Sequence, residues 1–165
     1  MHLTGDIRID TGAVTTRGTR EENEDFLGVH VPDGDTLLTK GIVAAIADGV
    51  SASRAGREAS ESAVRGFLAD YYETPDSWCV KTAGQRVLTS LNRWLCHQGQ
   101  THSPDERGCV TTFTTAILKS QTAHVFHIGD TRLYRLRDGE LEQLTTDHST
   151  ILANGDEHLS RALGL

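Results

Sequence analysis

Ile42-Val43-Ala44-Ala45-Ile46-Ala47, closed by Asp48-Gly49, decides how the rest of the chain is read. Six consecutive apolar residues, half of them β-branched, suit a strand covered on both faces, and therefore a central strand of a layered fold. Before it, residues 24–31 and 7–16 are rich in Val, Ile and Thr, broken by Gly12, Gly18 and a charged turn at 20–23, and predict two further strands. Pro32, Asp33 and Gly34 read as a loop.

After the strand the period changes. Ala59, Ala63, Val64, Phe67, Leu68 and Tyr71 recur at helical spacing over 55–72. A second helix is predicted from Thr74-Pro75-Asp76, with Thr74 as N-cap, Pro75 at the first helical position and Gly99 as its stop. Its apolar stripe is Val80, Val87, Leu88, Leu91, Trp94 and Leu95. Strand composition returns at 110–118, 123–128, 131–137 and 140–144, and Asp138-Gly139 between the last two signals a tight hairpin. Thr146 or Asp147 is then placed to cap a short helix near 148–154. Strands, two helices, strands and a helix in that order predict an α+β fold with antiparallel sheet and segregated helices, not strict βαβ alternation.

The 165 residues suit one domain with a substantial core. A formal charge of -7 argues against nucleic acid, whose binding is driven by excess Lys and Arg. Cys79, Cys96 and Cys109 are odd in number and form no C-x-x-C pair, which fits a reducing compartment. The opening residues lack the basic and apolar regions of a secretion signal, and no apolar run approaches the ~20 residues of a membrane span. The expected location is the cytoplasm.

Acidic residues fall where predicted strands end: Glu24-Asp25, Asp48-Gly49, Asp130 after Gly129, and Asp147. Carboxylates from neighbouring strand ends can gather around a hard divalent cation, which prefers oxygen ligands, and Gly49 allows a backbone carbonyl to approach. Singly, each also reads as ordinary turn chemistry: Arg20 as a turn arginine, Glu24 as a solvated charge, Asp130 as a strand terminator. Asp147 is read as a helix cap, Arg132 as the structural partner of a carboxylate, and His148 as a packing residue. Cys96, His97, His102 and Cys109 follow no strong zinc spacing.

In order, these features resemble a known family. Thr16-Arg17-Gly18-Thr19-Arg20-Glu21-Glu22-Asn23-Glu24-Asp25 is similar to the opening motif of the PPM-type, or protein phosphatase 2C-like, metal-dependent phosphatases. Ala47-Asp48-Gly49 with Gly56-Arg57-Glu58-Ala59-Ser60, and Gly108-Cys109-Val110-Thr111-Thr112, resemble the next two motifs. His127-Ile128-Gly129-Asp130-Thr131-Arg132-Leu133-Tyr134 and Leu144-Thr145-Thr146-Asp147-His148-Ser149 resemble the two after those. The resemblance implies a layered αββα sandwich of mainly antiparallel sheets and a bacterial serine/threonine protein phosphatase. It implies two Mn²⁺ or Mg²⁺ ions with room for a weaker third, and direct attack of a metal-bridging hydroxide on phosphoserine or phosphothreonine. Asp48 would bridge the metals, Glu24, Asp25 and the Gly49 carbonyl would serve the second, Asp130 a third, and Arg20 would grip the phosphate. The partners implied are phosphorylated proteins, substrates of a cognate serine/threonine kinase.

Two departures from the family shape these expectations. Val50 stands where some relatives carry a histidine proposed as general acid, and Val50-Ser51-Ala52-Ser53-Arg54-Ala55-Gly56 resembles a subgroup fused to a protein kinase. The family continues past Ser160-Arg161-Ala162-Leu163-Gly164-Leu165 into strands with two more metal-binding aspartates. Residues 1–165 are therefore expected to be the N-terminal, larger part of a single phosphatase domain, incomplete at its C-terminal strands and weak or inactive alone. The alternatives are a non-catalytic phosphatase-like module that regulates or binds phosphopeptides, and a two-metal hydrolase of small phosphate esters.

Overall fold

Strands β1 (Asp25–His30), β2 (Ile42–Asp48), β3 (Phe113–Lys119) and β4 (Thr122–Ile128) form an antiparallel sheet in that order, so the apolar run at 42–47 is an interior strand, as its composition predicts. The structure, a computed structural model, describes residues 8–50, 55–101, 108–151 and 157–165. Because side chains alternate along strands, one face of the sheet carries Val43, Ala45, Ala47, Phe113 and Ile117, all buried. Helix α2 (Gly56–Tyr72) lies on that face through Ala59, Ala63, Val64, Phe67 and Tyr71. Phe67 stands at the centre, its ring 5.1 Å from Phe113 and 5.7 Å from Tyr71. Gly28 leaves the space that α2 needs, since a Cβ there would come within 2.7 Å of Leu68. Helix α3 (Val80–Thr101) adds Val80, Val87, Leu91 and Leu95 to the same core. The opposite face is covered only in part: Ile42 of β2 is buried there, whereas Ile46 of β2 is 39% and Val29 of β1 42% exposed.

Where expectation and structure differ, tertiary partners are the cause. Residues 8–16 form no strand; they are mostly exposed, and without a burial face β-propensity has little to act on. The stretch read as a loop after Pro32 contains a short helix, α1 (Gly34–Lys40). Thr74 does not cap α3. Its hydroxyl donates to the Tyr71 carbonyl (2.6 Å) and it takes Lys40 Nζ as a partner, while Pro75 O closes a turn on the Trp78 N–H (3.0 Å). That turn consumes the start signal, and α3 begins at Val80. Gly99 does not stop α3 either; a Cβ there would meet Gly108 at 2.8 Å, so this glycine serves a close chain approach.

Downstream, β5 (Tyr134–Arg137) and β6 (Glu140–Gln143) form the hairpin signalled by Asp138-Gly139, whose φ values of 53° and 83° are those of a tight primed turn. The short helix predicted near 148–154 is replaced in its described part by β7 (Ser149–Ile151), paired with β8 (Glu157–Leu159). Leu163 returns the chain to the sheet by bridging Thr111, with N–H···O distances of 2.9 and 3.1 Å. The architecture is α+β with antiparallel sheets, and no described helix is long and apolar enough to cross a membrane.

Candidate active site

The antiparallel register sets Asp25 directly opposite Asp48, at the ends of β1 and β2, so both carboxylates leave from the sheet face opposite α2. The backbone beneath them is tightly held. Asp48 N–H donates to Thr112 Oγ1 (2.9 Å), and its carbonyl accepts from Thr112 N–H (2.9 Å) and from Thr111 Oγ1 (2.9 Å). Gly49 N–H donates to the Glu24 carbonyl (3.1 Å), tying the two acidic motifs together.

The small residues of the second motif now have a reason. Gly49 packs directly on the backbone of Gly56, leaving no room for a Cβ, and a Cβ on Gly56 would sit 2.5 Å from Glu24 Oε1. Ser60 Oγ donates to the Glu24 carbonyl (2.5 Å). The start of α2 is thus fitted against the strand end that bears Glu24 and Asp25.

Asp130 arrives from the far side of the sheet. Thr112 and Thr131 share a hydrogen bond of 2.6 Å between their hydroxyls, and Gly129 lies so close that a Cβ would meet Thr112 Cβ at 2.5 Å. Gly129 also has φ +111°, a conformation that favours glycine. One pair of threonines therefore holds both the Asp48 strand and the Asp130 turn.

The electrostatic result is distinctive. The Asp48 carboxyl is pushed up to about 6, first by burial, then by the charges of Asp25 and Asp130, by a hydrogen bond to Asp25, and by the charge of Glu24. Asp48 is an exposed residue, which tempers the burial contribution. The convergence of three other carboxylates on it is the firmer cause. All four groups offer hard oxygen ligands, and a divalent cation would relieve the repulsion among them, so the donor set fits Mg²⁺ or Mn²⁺. As they stand, no three His, Cys, Asp or Glu side chains among the described residues enclose an ion position.

Of the residues singled out from the sequence, Glu24, Asp25, Asp48, Gly49 and Asp130 come together electrostatically or by direct backbone contact. Arg20 is exposed, in the turn that leads into β1, its N–H donating to the Arg17 carbonyl (3.0 Å). Asp147 is not a helix cap: it forms a two-pronged ion pair with Arg132, at 2.6 and 2.9 Å, which holds its carboxyl below the usual range. That pair also gives Arg132 the carboxylate partner expected of it. His148 does more than pack; its ring stacks on His127 at 4.9 Å and accepts a hydrogen bond from Gly129 N–H. Neither the threonine link nor the histidine pair carries a spacing signal, and only their places inside the quoted motifs pointed toward them. Among the zinc candidates, Cys96 bonds the Leu165 carbonyl and Cys109 is buried, while His102 lies outside the described residues, as do residues 51–54 of the kinase-fusion resemblance.

Comparison with known proteins bears on the family. A family model described as Protein phosphatase 2C matches residues 15–161. The chain is 30% identical over 156 residues to Serine/threonine phosphatase stp of Listeria monocytogenes, covering 92% of this chain and 56% of that protein. It is 29% identical over 129 residues to Serine/threonine protein phosphatase PstP of Mycobacterium tuberculosis, covering 78% of this chain and 25% of that one. Among solved structures it is similar to the PPM Ser-Thr phosphatase MsPP from Mycobacterium smegmatis in complex with cacodylate, with TM-score 0.64 and 29% identity over 88% of this chain and 62% of that chain. The chain spans about half the length of most of the curated relatives it matches. With more than half of its residues matched by the family model and the motif residues gathered at one end of the sheet, the chain belongs to the protein phosphatase 2C family.

Proposed function

We propose that these residues form the N-terminal, larger part of a metal-dependent phosphatase domain that hydrolyses phosphoserine and phosphothreonine in proteins. The observation that carries this reading is the placement of Asp48 opposite Asp25 at the strand ends, where burial and the charges of Asp25, Asp130 and Glu24 raise its carboxyl, a repulsion among carboxylates that a cation would relieve. Bound Mn²⁺ or Mg²⁺, two ions with room for a weaker third, would lower the pKa of water and supply hydroxide near neutral pH.

The roles of the chain's own groups follow from their chemistry. Asp48, at the centre of the carboxylates, would serve both principal ions. Glu24, Asp25 and the Gly49 carbonyl would hold one of them directly or through water, and Asp130 would serve the third. Arg20 would orient the phosphate, because a planar guanidinium presents paired donors to its oxygens. With hydroxide supplied there, the new P–O bond would form as the bond to the seryl or threonyl oxygen breaks, that oxygen would take up a proton to leave as the alcohol, and no phosphoenzyme would form. On this reading two further carboxylates come from outside these residues, and the natural substrates are proteins phosphorylated by a cognate kinase.

The test is phosphopeptide hydrolysis with Mn²⁺, run on this chain and on a longer protein extended with the family's later strands. The proposal expects strong turnover by the longer protein, little by this chain, and none by Asp48→Asn in either. Turnover unchanged in Asp48→Asn would overturn the residue assignment. A longer protein that binds phosphopeptide without hydrolysing it would favour the non-catalytic module, and preference for a small ester would favour the small-phosphoester hydrolase.

A further inference from the structure

His148 meets the backbone of Gly129, the residue before Asp130, twice. Its backbone N–H donates to the Gly129 carbonyl (2.7 Å), and its ring Nδ1 lies 3.2 Å from the Gly129 N–H. A backbone N–H can only donate, so Nδ1 is the acceptor and the ring proton sits on Nε2. Gly129 is buried and has no side chain to fix its peptide, so both of its polar groups are satisfied by one residue nineteen positions away.

The ring is itself held. It stacks on His127 with 4.9 Å between centroids and 23° between planes. His127 in turn reaches the Thr114 hydroxyl through Nδ1 (2.8 Å) and the Thr146 carbonyl through Nε2 (3.0 Å). The His148 carbonyl accepts from Ser160 N–H (2.8 Å), which fastens the same residue to the β7–β8 hairpin. Packing one histidine against another costs desolvation of polar edges, and here each ring nitrogen engaged is matched to a defined partner.

Resting on the reading of Asp130 as a cation ligand, we propose that His148 is a positioning residue: by holding the Gly129 backbone at both its N–H and its C=O, it fixes the peptides on either side of Gly129 and aims the Asp130 carboxylate toward Asp48. The Thr112–Thr131 hydroxyl contact at 2.6 Å holds the other side of Asp130, so the turn is pinned at both neighbours while Asp130 itself stays exposed. Losing a group that orients a metal ligand typically costs about 10–100-fold in metal affinity.

Two variants separate the clamp from mere packing. His148→Phe keeps a flat ring for stacking on His127 but has no acceptor. His148→Asn loses the ring but places its amide oxygen the same number of bonds from the backbone as Nδ1. The metal-independent readout is exchange of the Gly129 amide proton in the whole chain. His148→Phe should speed it about tenfold, the scale of one lost hydrogen bond, and His148→Asn should restore most of the protection. The second readout is Mn²⁺ binding by calorimetry. His148→Phe should weaken it about tenfold, with partial rescue in His148→Asn and no further loss when added to Asp130→Asn. Unchanged exchange in His148→Phe, or equal acceleration in both variants, overturns the clamp. Full additivity with Asp130→Asn overturns its action through Asp130. A wild-type chain that binds no Mn²⁺ at all counts against the cation reading of the site, while the exchange result still decides whether the clamp exists.

Discussion

The two faces of one sheet are built from the same strands and do opposite work. Under α2, Val43, Ala45, Ala47, Phe67, Phe113 and Ile117 are sealed from water, and that face supplies stability. On the other face the same β2 delivers Asp48, opposite Asp25 and within the field of Asp130 and Glu24, where like charges oppose one another. The closed face stores the free energy that the open, charged end spends in keeping its carboxylates together. A one-residue slip in register would exchange these faces, so the apolar pattern that builds the core also fixes where the acids point.

The largest effect should come from breaking the closed face. Phe67→Ala removes a fully buried ring packed between Tyr71 and Phe113 and should cost about 3–5 kcal/mol in urea unfolding. A loss under 1 kcal/mol would mean that the core relaxes around the gap.

Next comes the joint between the faces. Gly129→Ala forces a Cβ into Thr112 at a φ of +111° and should destabilise by about 1–3 kcal/mol. On the proposed reading it should also reduce the stabilisation expected from Mn²⁺, because Asp130 follows directly; thermal melts with and without the ion would show both changes.

These two expectations differ in how far the sequence foretold them. Strand β2, helix α2 and the Asp138-Gly139 hairpin were legible because long apolar runs, a 3.6-residue stripe and a turn dipeptide each report a local cause. Helix α1, the late start of α3 at Val80 and the β7–β8 pair were not, since Lys40, Thr74 and Asp147 are committed by partners distant in the chain. The acidic set was legible as strand-end residues in a family-like order. What joins it, Thr112 to Thr131 and His148 to Gly129, was not, because bonds between a side chain and a remote partner leave no period in the sequence.

A smaller effect should appear at the charged end. The Asp48 carboxyl, about 6 in the fold, stands above its ordinary value of 3.8, so the folded chain holds the proton more tightly than the unfolded chain does. Stability of the metal-free chain should therefore fall as pH rises from about 4 to 6. Asp48→Asn should remove that loss, gaining about 0.5–1 kcal/mol at pH 7 after allowance for the residue's exposure, and gaining nothing below pH 4. Urea unfolding at several pH values would detect it, and an opposite slope would contradict the repulsion argument.

The smallest effect belongs to the exposed β5–β6 hairpin. Leu136 is 70% exposed, and Leu136→Ser should change stability by less than about 0.5 kcal/mol. A larger loss in solution would mean that this side chain is covered there.

The convergence of the carboxylates on a divalent ion is tested most directly by the thermal midpoint of the metal-free chain, followed at pH 7 as Mn²⁺ is added at fixed ionic strength. Wild type should rise with the ion in a saturable way, while Asp48→Asn, already more stable without it, should stay nearly flat. Equal rises in the two proteins, or none in either, would contradict the account.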